Sequence, residues 1–121
     1  MKLEIVEIQN RGVYEEERVI LKVLRNTDLS YHFLLHTKYT DGGEKIIINP
    51  VLHTKWFASK TLKANDLVVL YSKSGTYSSK VNDDGSTSHF YYWDLPEAIY
   101  KTPDDCVVGL ELDTWYTSKR G

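Results

Sequence analysis

The runs Asp66-Leu67-Val68-Val69-Leu70-Tyr71 and His89-Phe90-Tyr91-Tyr92-Trp93 decide the fold. Between them, Ser72 to Ser88 is almost entirely small, polar or charged. β-Branched and aromatic side chains favour a pleated, half-buried surface. The two runs are therefore expected to be central core strands joined by a long polar loop. Connections in compact domains are mostly about 4–6 residues, and irregular ones beyond about 12–15 are uncommon and often functional.

Outward from this stretch the chain continues in the same idiom. Lys2 to Ile8 is a strand whose apolar positions change face partway, which points to a bulge or to burial on both faces. Gln9 to Gly12 is a turn. Residues 13–25 combine helix-forming glutamates with β-branched Val19, Ile20 and Val23, and a strand over Arg18 to Leu24 is favoured over a helix. Asn26-Thr27-Asp28 reads as a turn. From Tyr31 to Tyr39, Tyr31, Phe33 and Leu35 share an apolar face, while His32, Leu34, His36 and Lys38 share a mixed one. Thr40-Asp41-Gly42-Gly43 then turns the chain into Lys45 to Asn49, an antiparallel hairpin partner that Pro50 ends. Residues 51–64 suit a short helix or a packed loop. Leu95 to Tyr100, with Asp94 as N-cap, suggests one or two helical turns. Thr102 to Asp105 is a turn. Cys106 to Thr117 is a final strand with Val108, Leu110, Leu112 and Tyr116 on its apolar face.

The expected architecture is mainly β: a single antiparallel small barrel or sandwich of about six to seven strands, with one or two short helices, forming one domain over residues 1–121. Crossover helices for a parallel α/β sheet are missing. The apolar fraction of 41% and charged fraction of 26% are those of a soluble globular protein. No apolar run approaches the ~20 residues of a membrane span, and glutamates interrupt the N-terminal stretch where a signal peptide needs an apolar core. A cytoplasmic protein with no membrane partner is expected.

Chemistry leaves fewer marks. Nucleotide-binding glycine motifs, zinc-protease and nucleophile-elbow motifs are absent from the sequence. His32 and His36 lie about 13 Å apart along a strand, too far for one ion. Cys106, the only cysteine, fits a small buried hydrophobe better than a nucleophile. Asn82 to Thr87 gathers oxygen ligands but lacks the spacing of a calcium loop, so a polar hairpin turn is the better reading. Neither a metal nor a cofactor is expected.

The strongest signal is charge. Residues 53–80 hold five lysines against one aspartate, a net of +4, although the chain as a whole carries −2. Aromatic residues interleave with these lysines, the combination that provides phosphate contacts and stacking faces. Lys55, Trp56, Lys60, Lys73, Tyr77, Lys80 and His89 are thus the candidate ligand-binding residues, and no catalytic residue is named. The favoured reading is a non-catalytic module for an anionic small molecule such as a nucleotide, with single-stranded nucleic acid second. Two alternatives stand beside it. One is a protein-interaction module that uses a sheet edge and exposed tyrosines. The other is a small enzyme whose histidine, thiol or carboxylate groups converge in a cleft.

Overall fold

The computed structural model describes residues 1–46 and 51–121. Among these residues eleven strands form in the order β1 (Leu3–Gln9), β2 (Arg18–Val23), β3 (Thr27–Asp28), β4 (His32–Thr40), β5 (Lys45–Ile46), β6 (His53–Trp56), β7 (Thr61–Leu62), β8 (Leu67–Tyr71), β9 (Ser78–Val81), β10 (Thr87–Tyr92) and β11 (Asp105–Glu111). The fold is mainly β, as expected. The strand number exceeds six or seven because pairs as short as Thr27–Asp28 with Thr61–Leu62 count as strands. The larger sheet runs β1-β2-β8-β10-β9; in the second, β4 is flanked by β11, β5 and β6. Among the described residues these sheets do not close into a barrel.

The two opening runs are indeed adjacent central strands, but they pair in parallel, from Leu67↔Ser88 to Tyr71↔Tyr92. The expected long polar loop between them is thereby corrected, since it contains the edge strand β9. The chain leaves β8, crosses the end of β10 and descends as β9, which then turns back into β10. Crossing requires close approach at Gly75, where a Cβ would lie 2.4 Å from the Tyr92 ring. Gly75 N–H donates to Asp94 Oδ1 at 3.1 Å, and Leu95 N–H donates to Ser72 O at 3.0 Å, fastening the crossover to the chain beyond β10.

β1 carries the expected irregularity, between Ile5 and Glu7. Residues 18–23 form a strand rather than a helix. Glu17, just before it, is fully buried and accepts from Ser72 Oγ, Gly12 N, Ile99 N and Tyr100 N. Those contacts explain a second correction. Leu95 to Tyr100 is not helical, because its N–H groups at 99 and 100 serve the Glu17 carboxylate. Residues 51–64 are likewise not helical but hold β6 and β7, and Asn26 to Asp28 is not a plain turn, since Thr27–Asp28 pairs with β7. Among the described residues the helical content is limited to 3-10 turns at Leu29–Tyr31 and Asp41–Gly43. β5 does return antiparallel along β4, Tyr39↔Ile46 and Thr40↔Lys45. The remainder of that expected strand, residues 47–49, and its end at Pro50 lie outside the described residues. The last strand stops at Glu111, and Tyr116 is 95% exposed.

One apolar cluster draws on both sheets: Val19, Leu21 and Val23 of β2, Val68 and Leu70 of β8, and Leu34 of β4. On β4 the buried face is the mixed one, His32, Leu34 and His36, while Phe33 and Leu35 are only half-buried. Placing histidines in the interior requires partners for their ring nitrogens, and those partners define the polar sites.

Candidate functional site

His89 is directly opposite Val68, which is opposite Leu21, so the three share the core-facing side of the large sheet. β10 is the second strand from the edge, and there the apolar row gives way to polar groups. His89 Nε2 lies 3.1 Å from Asp66 Oδ2, and both residues are buried. Asp66 Oδ1 also accepts from Thr87 N at 3.0 Å, and Oδ2 from Lys63 N at 3.1 Å. Burial works against the Asp66 charge, but these N–H donors and His89 outweigh it and hold the carboxyl below its usual range. A carboxylate accepts only, so His89 Nε2 carries the proton and Nδ1 presents a lone pair. That lone pair faces Tyr77 Oη at 3.0 Å, and the phenol donates to it.

Tyr77 emerges from the crossover and lines a cleft of about 660 Å³. This volume is within the ordinary range for small-molecule sites. Lys60 Nζ sits 5.5 Å from the Tyr77 ring centroid, and Lys63 lines the same cleft, as do Ser79, Ser86 and Thr87. The lysine-bearing wall is fixed from below. Asp28 accepts from Ser59 Oγ, Ser30 Oγ, Ser30 N and Lys60 N, which together draw its carboxyl down to about 2. Leu29 N–H donates to Lys60 O, and Ala64 N–H to Asn26 Oδ1. Opposite, Asn82 to Thr87 forms the expected hairpin turn, in which Asp84 Oδ1 accepts from Ser86 N and Oγ.

Of the candidate residues, Lys60, Tyr77 and His89 converge on this cleft. The others lie elsewhere. Lys55 donates to Tyr92 O, 3.2 Å away. Trp56 donates from Nε1 to Ser30 O and packs edge-on against Trp115. Lys73 pairs with Glu15 at 3.5 Å and covers the Tyr71 ring. Lys80 is exposed on the edge strand β9. Lys63, Asp66, Ser79, Ser86 and Thr87 join the site without having been singled out by the charge pattern as ligand contacts.

A second relay lies in the other sheet. His36 Nε2 is 2.8 Å from Asp105 Oδ1, and His36 Nδ1 is 3.0 Å from His53 Nδ1. His36 and His53 are direct cross-strand partners, with rings stacked 5.2 Å apart. Thr102 donates to Asp105 Oδ2 from its N–H and its hydroxyl. The groove beside His53 is smaller, about 260 Å³, and includes Glu97 paired to Lys101. Among the described residues no cluster of His, Cys, Asp and Glu has the arrangement of a metal site. Cys106 is buried, which pushes its thiol up.

The chain matches no protein-family model and no curated protein. No helix among the described residues is long and apolar enough to cross a membrane.

Proposed function

We propose that the chain binds an anionic small molecule, preferably a nucleotide, in the cleft between residues 60–66 and the β9–β10 hairpin. One observation carries this reading: the Lys60 ammonium lies 5.5 Å from the Tyr77 ring that His89 holds in place, within a cleft also lined by Lys63. The phosphate meets Lys60, Lys63 and the hydroxyls of Ser86 and Thr87, and the base stacks on the exposed Tyr77 ring. Asp66 is engaged by its own donors, which reduces its repulsion of an anion. The reading includes a cytoplasmic setting, where nucleotides are abundant and the single buried thiol stays reduced.

Calorimetric titration with AMP and with inorganic phosphate tests it. Salt-sensitive binding that weakens roughly tenfold or more in Lys60→Ala/Lys63→Ala, but not in Lys73→Ala/Lys80→Ala, is expected. Equal weakening by both pairs, or no binding of either anion, contradicts it.

A further inference from the structure

Resting on that binding reading, we infer that Tyr77 is a nucleophile toward phosphate esters, with His89 its general base and Asp66 the residue that positions His89. The geometry is that of an activated nucleophile: a hydroxyl 3.0 Å from a ring nitrogen, whose opposite nitrogen is 3.1 Å from a buried carboxylate. Tautomer logic gives the relay its direction. Asp66 holds the proton on His89 Nε2, so Nδ1 is free to take the phenol proton.

Three further features favour a phosphoryl substrate. Lys60 Nζ lies over the ring of the attacking residue, 5.5 Å from its centroid, and supplies a cation on the cleft side for the charge of the transferred group. Lys63 is tethered to the relay itself, since its N–H donates to the same Asp66 oxygen that His89 contacts. Tyr77 is 40% exposed, so an ester in the cleft reaches it, whereas His89 and Asp66 are shielded from water.

The steps balance. Tyr77 Oη attacks phosphorus as its proton passes to His89 Nδ1. The bond from phosphorus to the leaving oxygen breaks, and that oxygen takes the electron pair. An alkyl leaving group also takes the proton from His89; p-nitrophenolate leaves without it, and the proton goes to water. Water then attacks the tyrosyl phosphate and gives a proton to His89. The phosphorus–Tyr77 bond breaks, the phenolate recovers a proton from His89, and phosphate departs.

The test uses p-nitrophenyl phosphate and bis(p-nitrophenyl) phosphate as probes for monoesters and diesters, with binding of inorganic phosphate measured alongside. Wild type is expected to release p-nitrophenolate from at least one probe, and acid quenching is expected to trap a phosphoryl group on Tyr77 by peptide mass spectrometry. Tyr77→Phe keeps the ring and loses turnover by about 1,000-fold or more while still binding phosphate. Asp66→Asn, if it melts as a folded protein, lowers kcat far more than it raises KM, because a neutral amide no longer stabilises the imidazolium that forms when His89 takes the phenol proton. Phosphate binding without turnover overturns the nucleophile and leaves the binding reading standing. Turnover that survives in Tyr77→Phe, or that is lost without any phosphoryl-Tyr77 in wild type, also overturns it. Failure of both binding and turnover removes both readings together.

Discussion

Two buried aspartates each hold a histidine, and each histidine passes a lone pair to a third group. Asp66–His89 passes it to Tyr77, which lines a wide polar cleft with Lys60 and Lys63. Asp105–His36 passes it to His53, an imidazole stacked on His36 and set edge-on to Trp93. The two carboxylates are alike in their support: each takes a histidine nitrogen, Asp66 with two backbone N–H groups and Asp105 with the N–H and hydroxyl of Thr102. What differs is the end of the relay. An aspartate–histidine pair by itself is a way to bury a histidine row inside a sheet. It becomes a candidate for chemistry when its last member is a hydroxyl that opens on cations.

The largest expected effect is structural and falls on the second relay. Asp105→Ala strands His36 Nε2–H, Thr102 N–H and the Thr102 hydroxyl, and Asp105 is only 2% exposed. A loss of about 3–5 kcal/mol in denaturant unfolding is expected, with AMP affinity per folded molecule unchanged. A selective loss of anion binding would reverse the assignment of roles.

Acidification separates the relays next. Desolvation lowers the pKa of His53 first, and the neighbouring His36 lowers it further, while Glu97 opposes. A base whose folded pKa is depressed leaves the unfolded chain binding more protons, so stability falls as pH drops below the ordinary 6.5 toward the folded value. Asp66 is depressed from 3.8, so its contribution is present above that pH and is lost only as pH falls below it. Unfolding free energy measured from pH 7 to pH 5 is expected to decline less steeply in His53→Gln than in wild type. An unchanged slope would mean that His53 is not held neutral by its surroundings.

Tyr77→Phe removes one partly exposed hydrogen bond, and a stability cost of about 1 kcal/mol or less is expected. A cost several times larger would make Tyr77 a structural member like His53. The smallest effect belongs to Lys80→Ala, within about 0.5 kcal/mol in stability and with unaltered AMP affinity. Any marked weakening would extend the site along β9.

The sequence made the β character legible, because runs such as Leu67–Tyr71 and the alternation over Tyr31–Tyr39 report local conformation. The face of β4 was not legible. Phe33 and Leu35 are more apolar than His32 and His36, yet the histidines are inside because Thr27, outside the strand, and Asp105, 69 residues beyond His36, supply partners. The parallel pairing of β8 and β10 was hidden for a related reason: a 17-residue polar interval reads as a loop, although Ser78–Val81 within it is an edge strand. The charge pattern named Lys60, Tyr77 and His89, which line the cleft, together with Lys55, Trp56, Lys73 and Lys80, which do not. Lys60 and Lys63 differ from Lys55 and Lys73 only in where Asp28, Asn26 and Asp66 fasten the backbone. Pairings such as Asp66 with His89, 23 residues apart, leave no local periodicity to find.

Amide chemical-shift mapping during titration with AMP tests the central claim most directly. Perturbations concentrated in residues 60–66, 77–79 and 84–89 are predicted, with His36, His53 and Lys101 unmoved. A map centred on His53 and Lys101, or on Lys73 and Lys80, would contradict it, as would no perturbation at all.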